Sequence, residues 1–217
     1  MTTETIMFDL GDVCYFFSMN PVYEELSRLG SKSKEEVTRI LDDTPESLGP
    51  DRLHNTGKIS SLRFYEMGCQ VLGISQSDLS FFGFAKLWNS LILRPNKPVC
   101  DLIDRLYNRY QLLAVSNTDP LNMQQAWRLM PETLRKFGPG GIVVSYEVGV
   151  MKPDHVIYRE ALRRSGSRAE DCVFVDDKAK YAAVANELGM HGIVYDTKND
   201  LDANKLKQDL MSLGVRC

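Results

Sequence analysis

Five short apolar runs punctuate the chain: Ile6-Met7-Phe8, Leu112-Leu113-Ala114-Val115, Ile142-Val143-Val144, Cys172-Val173-Phe174-Val175 and Ile193-Val194-Tyr195. Each is continuous rather than alternating, the pattern of a strand covered on both faces. A polar residue follows each at once: Asp9, Ser116, Ser145, Asp176 and Asp196 in turn. Helical patterns separate the later runs. One spans Leu121–Met130 after Pro120; another, Asp154–Arg164, stops near Gly166; a third, Ala179–Leu188, ends at Gly189. Strand–helix alternation predicts an α/β fold with a Rossmann-like parallel sheet. In such sheets ligands bind beyond the carboxyl ends of the strands, where the five polar residues fall.

The stretch from Tyr15 to Arg94 has no comparable strand run, and helix signals follow one another. Asn20-Pro21 opens a helix closed by Gly30, Ser33-x-x-Glu36 forms a capping box, Ser60 or Ser61 precedes Leu62–Leu72, and Ser77 precedes Leu79–Leu91. Residues Asn96–Tyr110 supply a return helix. An all-helical block of this size predicts an inserted cap subdomain, residues 15–94, on an α/β core of residues 1–14 and 95–217.

Composition narrows the function. The 217 residues carry 26 Lys and Arg against 29 Asp and Glu, a net charge of −3, so a dedicated nucleic-acid binder is disfavoured. The longest stretches without Asp, Glu, Lys or Arg run 11 residues, Val13–Tyr23 and Met67–Ser77, against the roughly 20 a spanning helix needs. Met1-Thr2-Thr3-Glu4-Thr5 has no secretory pattern. Five scattered cysteines without a C-x-x-C predict reduced thiols, and with them a cytoplasmic setting and no membrane partner.

A carboxylate at a strand end, as at Asp9 in Phe8-Asp9-Leu10-Gly11-Asp12-Val13, can ligate a metal, attack an electrophile or simply cap a turn. As a nucleophile it suits phosphoryl transfer, because its acyl phosphate is readily hydrolysed and one hard step becomes two. Gly11 lets the chain turn and bring a carbonyl toward the site. Ser116-Asn117-Thr118 offers a hydroxyl and N–H groups to phosphate oxygens, or an ST-turn or cap for the next helix. Lys152, held out of the α region by Pro153 and just before a helix N-terminus, gains nothing from the dipole; it faces an anion such as a transferring phosphoryl group, or solvent. Asp176-Asp177 repel one another unless a cation sits between them, and a hard divalent ion such as Mg²⁺ answers that need; otherwise one of them caps the helix at Ala179.

The ordered set Asp9, Ser116, Lys152 and Asp176-Asp177 resembles the haloacid dehalogenase (HAD) superfamily, whose motifs are an Asp-started loop, a Ser or Thr, a Lys and an acidic pair. The chain is similar to its small helical-capped sugar-phosphate phosphatases with a D-L-G-N-V first motif, and Gly57-Lys58-Ile59-Ser60 has the G-x-I-S flavour of that group. The resemblance implies a Mg²⁺-dependent phosphatase acting on a small phosphorylated metabolite through an aspartyl phosphate. Asp9 would be the nucleophile. Mg²⁺ would be held by Asp9, the Gly11 carbonyl, Asp176 and Asp177. Ser116 and Lys152 would hold phosphoryl oxygens, and Asn117 would orient the loop. One position departs: the general acid of these phosphatases stands two residues after the nucleophile, which is Gly11 here. Such assistance is worth about 10²–10⁴ in rate. The departure implies slow turnover, a leaving group that needs little protonation (a sugar 1-phosphate), or a substitute such as Asp12. Three alternatives stand beside it: a 2-haloacid dehalogenase, whose carboxylate substrate Asp176-Asp177 would repel; a phosphomutase, which depends on the acid that Gly11 replaces; and a catalytically weak phosphate-binding regulatory module, which Gly11 supports.

Overall fold

A computed structural model describes residues 3–41 and 49–217; residues 1–2 of the expected core and 42–48 of the expected cap lie outside the described residues. All five predicted runs are strands of one parallel sheet: β1 (Thr5–Phe8), β4 (Gln111–Ser116), β5 (Ile142–Val144), β6 (Cys172–Asp176) and β7 (His191–Val194), in the order β5-β4-β1-β6-β7. The central strand reads as a continuous apolar run because both its faces are covered: Ile6, Met7 and Phe8 are all buried. Removing each from water contributes about 1.5–3 kcal/mol.

Helices pack on both faces: α6 (Lys97–Leu106), α7 (Pro120–Leu129), α8 (Pro131–Arg135), α9 (Ser145–Val148), α10 (His155–Ser165), α11 (Ala179–Glu187) and α12 (Asn204–Ser212). One face seats Ile6, Phe8 and Ala114 against Val99, Ile103, Ala126 and Leu210; the other seats Met7, Leu113 and Phe174 against Ile157, Tyr158 and Ala185. Alternate residues of a strand thus serve two half-cores.

Between β1 and β4 lie α1 (Asn20–Leu29), α2 (Lys34–Leu41), α3 (Pro50–Asn55), α4 (Ser61–Leu72) and α5 (Phe81–Asn89). All but α3 share a separate buried cluster that includes Val22, Leu26, Val37, Phe64, Leu72, Phe84 and Trp88, and α3 meets it where His54 stacks on Phe64 at 4.5 Å. The capping box at α2 forms in full, with Ser33 N–H donating to Glu36 Oε2 at 2.9 Å and Glu36 N–H to Ser33 Oγ at 3.2 Å. Two expectations need correction. The helix expected to follow Ser77 starts instead after Ser80, whose Oγ accepts Gly83 N–H at 3.2 Å, while the Tyr65 hydroxyl claims the Leu79 carbonyl at 2.6 Å. The segment also contains strand: β2 (Tyr15–Phe17) pairs antiparallel with β3 (Ile92–Pro95), joining the two places where the chain leaves and re-enters the sheet. Asn96 fixes that crossing by donating to the Val13 carbonyl at 2.9 Å.

Candidate active site

Strand register brings the expected residues together. Phe8 is level with Ala114 on one side and Val175 on the other, so the next residues along, Asp9 and Asp176, emerge side by side at the carboxyl edge, with Ser116 ending the neighbouring strand. The connections run opposite ways at β1, which makes this edge the crevice where open α/β sheets bind ligands.

At its centre is a buried triad of charges. Lys152 Nζ lies 2.9 Å from Asp9 Oδ1 and 2.6 Å from Asp176 Oδ2, with Lys152 only 2% and Asp176 0% exposed. The sequence suggested that Lys152 faces a phosphoryl group; in the structure it answers two carboxylates first. Burial works against its charge, but Asp9 and Asp176 hold its ammonium group above the usual lysine range. Burial pushes the Asp176 carboxyl up to about 7 against the pull of Lys152, and burial also raises Asp177. Asp176 Oδ1 accepts Lys178 N–H at 2.9 Å, so both of its oxygens are engaged.

Asp9, Asp176 and Asp177 each bring one oxygen within 4.8 Å of the others. Three converging carboxylates with one lysine leave a net negative, oxygen-only donor set, which suits a hard divalent cation. Asn117 clamps the lysine from behind: Lys152 N–H donates to Asn117 Oδ1 at 2.7 Å, and Asn117 Nδ2 donates to the Lys152 carbonyl at 3.0 Å. Ser116 is buried, lines the cavity and is relieved of capping duty, because Asp119 caps α7 by accepting Leu121 N–H at 2.8 Å and Asn122 N–H at 3.0 Å. Gly11 lines the cavity too, and a Cβ there would approach nothing closer than Tyr15 Cε2 at 3.9 Å. Asp12, held at φ +54°, also faces the cavity while its Oδ1 accepts Phe17 N–H at 3.0 Å; burial raises its carboxyl.

The cavity measures about 330 Å³. The sheet side supplies Asp9, Ser116, Asn117, Lys152 and Asp177; α1, α3 and α5 supply Tyr23, Asp51, Asn55 and Trp88. Sequence reasoning missed Asp119, which accepts Trp88 Nε1–H at 3.0 Å and so ties α5 to α7. The signal was present in Asp119-Pro120, a helix-start dipeptide. It also missed the lysines at the start of α11, Lys178 and Lys180, which line the cavity. Near Asn55, His54 is sealed, sharing a hydrogen bond with Ser61 Oγ through Nε2 at 2.9 Å, and Lys58 is exposed. Cys14 Sγ donates to the Asp9 carbonyl at 3.2 Å, and burial pushes its thiol up, away from thiolate chemistry.

A parallel sheet with an acidic, lysine-bridged site at its switch point defines a protein of the α/β class with its ligand crevice at that edge. The chain belongs to the haloacid dehalogenase-like hydrolase family, whose model matches residues 3–189. Among solved structures it is similar to a HAD-like family hydrolase from Porphyromonas gingivalis (TM-score 0.82, 23% identity, 97% of this chain and 98% of that one). It is also similar to a HAD family enzyme from Bacteroides thetaiotaomicron in complex with magnesium and inorganic phosphate (TM-score 0.77, 21% identity, 88% and 93%). A curated relative, the chloroplastic flavin mononucleotide hydrolase 1 of Arabidopsis thaliana, is 34% identical over 67 residues; that match spans 31% of this chain and 25% of the relative. Among the described residues no helix is long and apolar enough to cross a membrane.

Proposed function

We propose that the chain is a Mg²⁺-dependent phosphatase of small phosphomonoesters, working through an aspartyl phosphate on Asp9. The observation that carries this reading is the Asp9–Lys152–Asp176 triad with Asp177 beside it. The three carboxylates and the Gly11 carbonyl would hold the cation, which supplies Lewis-acid polarisation of the phosphoryl group and offsets charge between two anions. Lys152 fixes the direction of the Asp9 oxygen through its 2.9 Å ion pair. Ser116 presents its hydroxyl to phosphoryl oxygens, and Asn117 holds Lys152 in register. Asp9 attacks phosphorus as the ester oxygen leaves with a proton, and water then cleaves the acyl phosphate and restores the carboxylate. With glycine at position 11, the first proton would come from a substitute such as Asp12, which lines the cavity and whose carboxyl burial raises.

Helices α1–α5 act as the cap in this reading, residues 15–94, since they roof the cavity with Tyr23, Asp51, Asn55 and Trp88. The cavity lies at the low end of the roughly 300–1,000 Å³ typical of ligand sites, which favours a compact substrate, such as a sugar phosphate, over a whole flavin nucleotide. The similarity to a flavin mononucleotide hydrolase and to a phosphate-bound HAD enzyme supports phosphomonoester chemistry. A haloacid dehalogenase is the weaker reading, because Asp176 and Asp177 repel a carboxylate on the carbon that Asp9 would attack.

The test is release of p-nitrophenol from p-nitrophenyl phosphate with Mg²⁺ or with EDTA, by wild type and Asp9→Asn. Metal-dependent turnover that Asp9→Asn abolishes is expected. Undiminished activity in EDTA, or in the Asp9→Asn protein, refutes the reading.

A further inference from the structure

The wall of the cavity built by the start of α11 is cationic, with Lys178 and Lys180 side by side on it. Lys178 and Lys180 both line the cavity, and among the described residues no carboxylate stands within ion-pair distance of either ammonium group. The helix gives them no reason to be there. Lys178 is the N-cap residue and Lys180 lies in the first turn, where the dipole opposes a cation, and that turn holds no acidic residue. Both are gathered on the face of Tyr181, with Nζ 5.5 and 5.0 Å from the ring centroid; Lys152 reaches the same ring at 5.1 Å. The Tyr181 hydroxyl in turn meets Asn117 Nδ2 at 3.5 Å. One ring therefore fixes both lysines relative to the phosphoryl end of the cavity.

The two differ in what they face. Lys178 lies in the field of Asp177 and Asp9, so part of its charge offsets the acidic cluster. Lys180, exposed like Lys178, completes this stretch of the wall. The α3 part of the lining holds Asp51 and Asn55, with Asn55 Nδ2 donating to Asp51 Oδ1 at 2.9 Å. The cationic stretch of the cavity is thus the one along α11.

We propose that Lys180, backed by Lys178, receives a second anionic group of the substrate, a carboxylate or a further phosphate at the end remote from the bond that is cleaved. The inference rests on the phosphatase reading above and narrows it to doubly anionic phosphomonoesters. Lys152 serves the phosphoryl end; Lys180 serves the far end and sets KM more than kcat.

Two pairs of substrates matched in carbon frame test it in the presence of Mg²⁺: glycerol 3-phosphate against 3-phosphoglycerate, and fructose 6-phosphate against fructose 1,6-bisphosphate. The wild type is expected to favour the doubly anionic member of one pair by about tenfold or more in kcat/KM, mainly through KM. The pair that responds distinguishes carboxylate from phosphate. Lys180→Ala should shrink that preference and Lys180→Glu reverse it. The reversal is a fair test of charge, since an acidic residue in the first turn suits α11 better than lysine does. Equal rates on both members of each pair in the wild type, or a preference that survives Lys180→Glu, overturn the inference while leaving the phosphatase reading intact. If the wild type hydrolyses neither these esters nor p-nitrophenyl phosphate, the phosphatase reading falls and this inference with it.

Discussion

Asn117 and Lys152, 35 residues apart in sequence, hold each other by two reciprocal hydrogen bonds, side chain to backbone in both directions, at 2.7 and 3.0 Å. The pairing ties the loop after β4 to the loop after β5 and α9. It aims the Lys152 ammonium group at Asp9 and Asp176 without adding charge to the site.

Asn117→Ala should therefore act through the lysine. Losing two partly buried hydrogen bonds costs about 1–3 kcal/mol, or some 2–4 °C of Tm per kcal/mol in a chain of this size. Turnover should fall further than stability, because a loosened Lys152 no longer fixes the Asp9 oxygen. A variant with wild-type kcat and a lowered Tm would reduce Asn117 to a structural brace.

Gly11→Asp probes the missing acid directly. Its Cβ has room, 3.9 Å from the nearest side-chain atom, and the backbone there is not left-handed. The substitution should fold, with Tm close to wild type. It should raise kcat for alkyl phosphates by about 10-fold or more, and for p-nitrophenyl phosphate, whose leaving group needs no proton, much less. Equal effects on both ester classes would argue that proton donation does not limit the wild type.

Much of this arrangement is legible in the sequence, and the reason is local. A strand buried on both faces writes itself as an unbroken apolar run, and residues at strand ends are brought together by a regular register, so Asp9, Ser116 and Asp176 fall into place from β1, β4 and β6 alone. What escaped was set by distant partners. Tyr15-Phe16-Phe17 becomes β2 only because Ile92–Pro95 returns alongside it. The six residues of α3 are too few for a helical period to repeat, and Trp88 joins the site through Asp119, 31 residues away. The position of the Lys152 head between two carboxylates is likewise a tertiary fact, since its local sequence shows only that the helix dipole does not favour it.

His54 gives the fold a predictable pH dependence. It is fully buried, stacked on Phe64 at 4.5 Å, and Nδ1 has no hydrogen-bond partner; Asp119 Oδ1 stands 3.9 Å away. Burial lowers its pKa, with Asp119 opposing. Below about pH 6.5 an unfolded histidine takes up a proton that the folded one refuses. At this group the unfolded state then binds more protons, so the His54 contribution to stability rises with pH across the window and is lost on acidification from about pH 6.5 downward, opposite in sign to that of the raised Asp176 carboxyl. His54→Phe, which keeps the stack, should flatten that part of the curve in urea titrations between pH 5 and 7. An unchanged slope would mean that another group carries it.

The docking of the helical block onto the core can be tested at one backbone contact. Gly57, just after α3, has φ +65°, and a Cβ there would lie 2.1 Å from the carbonyl oxygen of Tyr146 in α9. Gly138 has nearly the same conformation, φ +67°, with nothing within 4 Å of its would-be Cβ. Gly138→Ala therefore bears only the left-handed backbone cost, about 1–2 kcal/mol. Gly57→Ala bears that cost and must also push α3 away from α9, carrying Asp51 and Asn55 out of the cavity wall. Gly57→Ala should lower Tm more than Gly138→Ala and raise KM, whereas Gly138→Ala should leave KM unchanged. Matching losses in the two variants would show that the contact between α3 and α9 yields without consequence, and that the roof of the cavity is positioned by Trp88 and Asp119 instead.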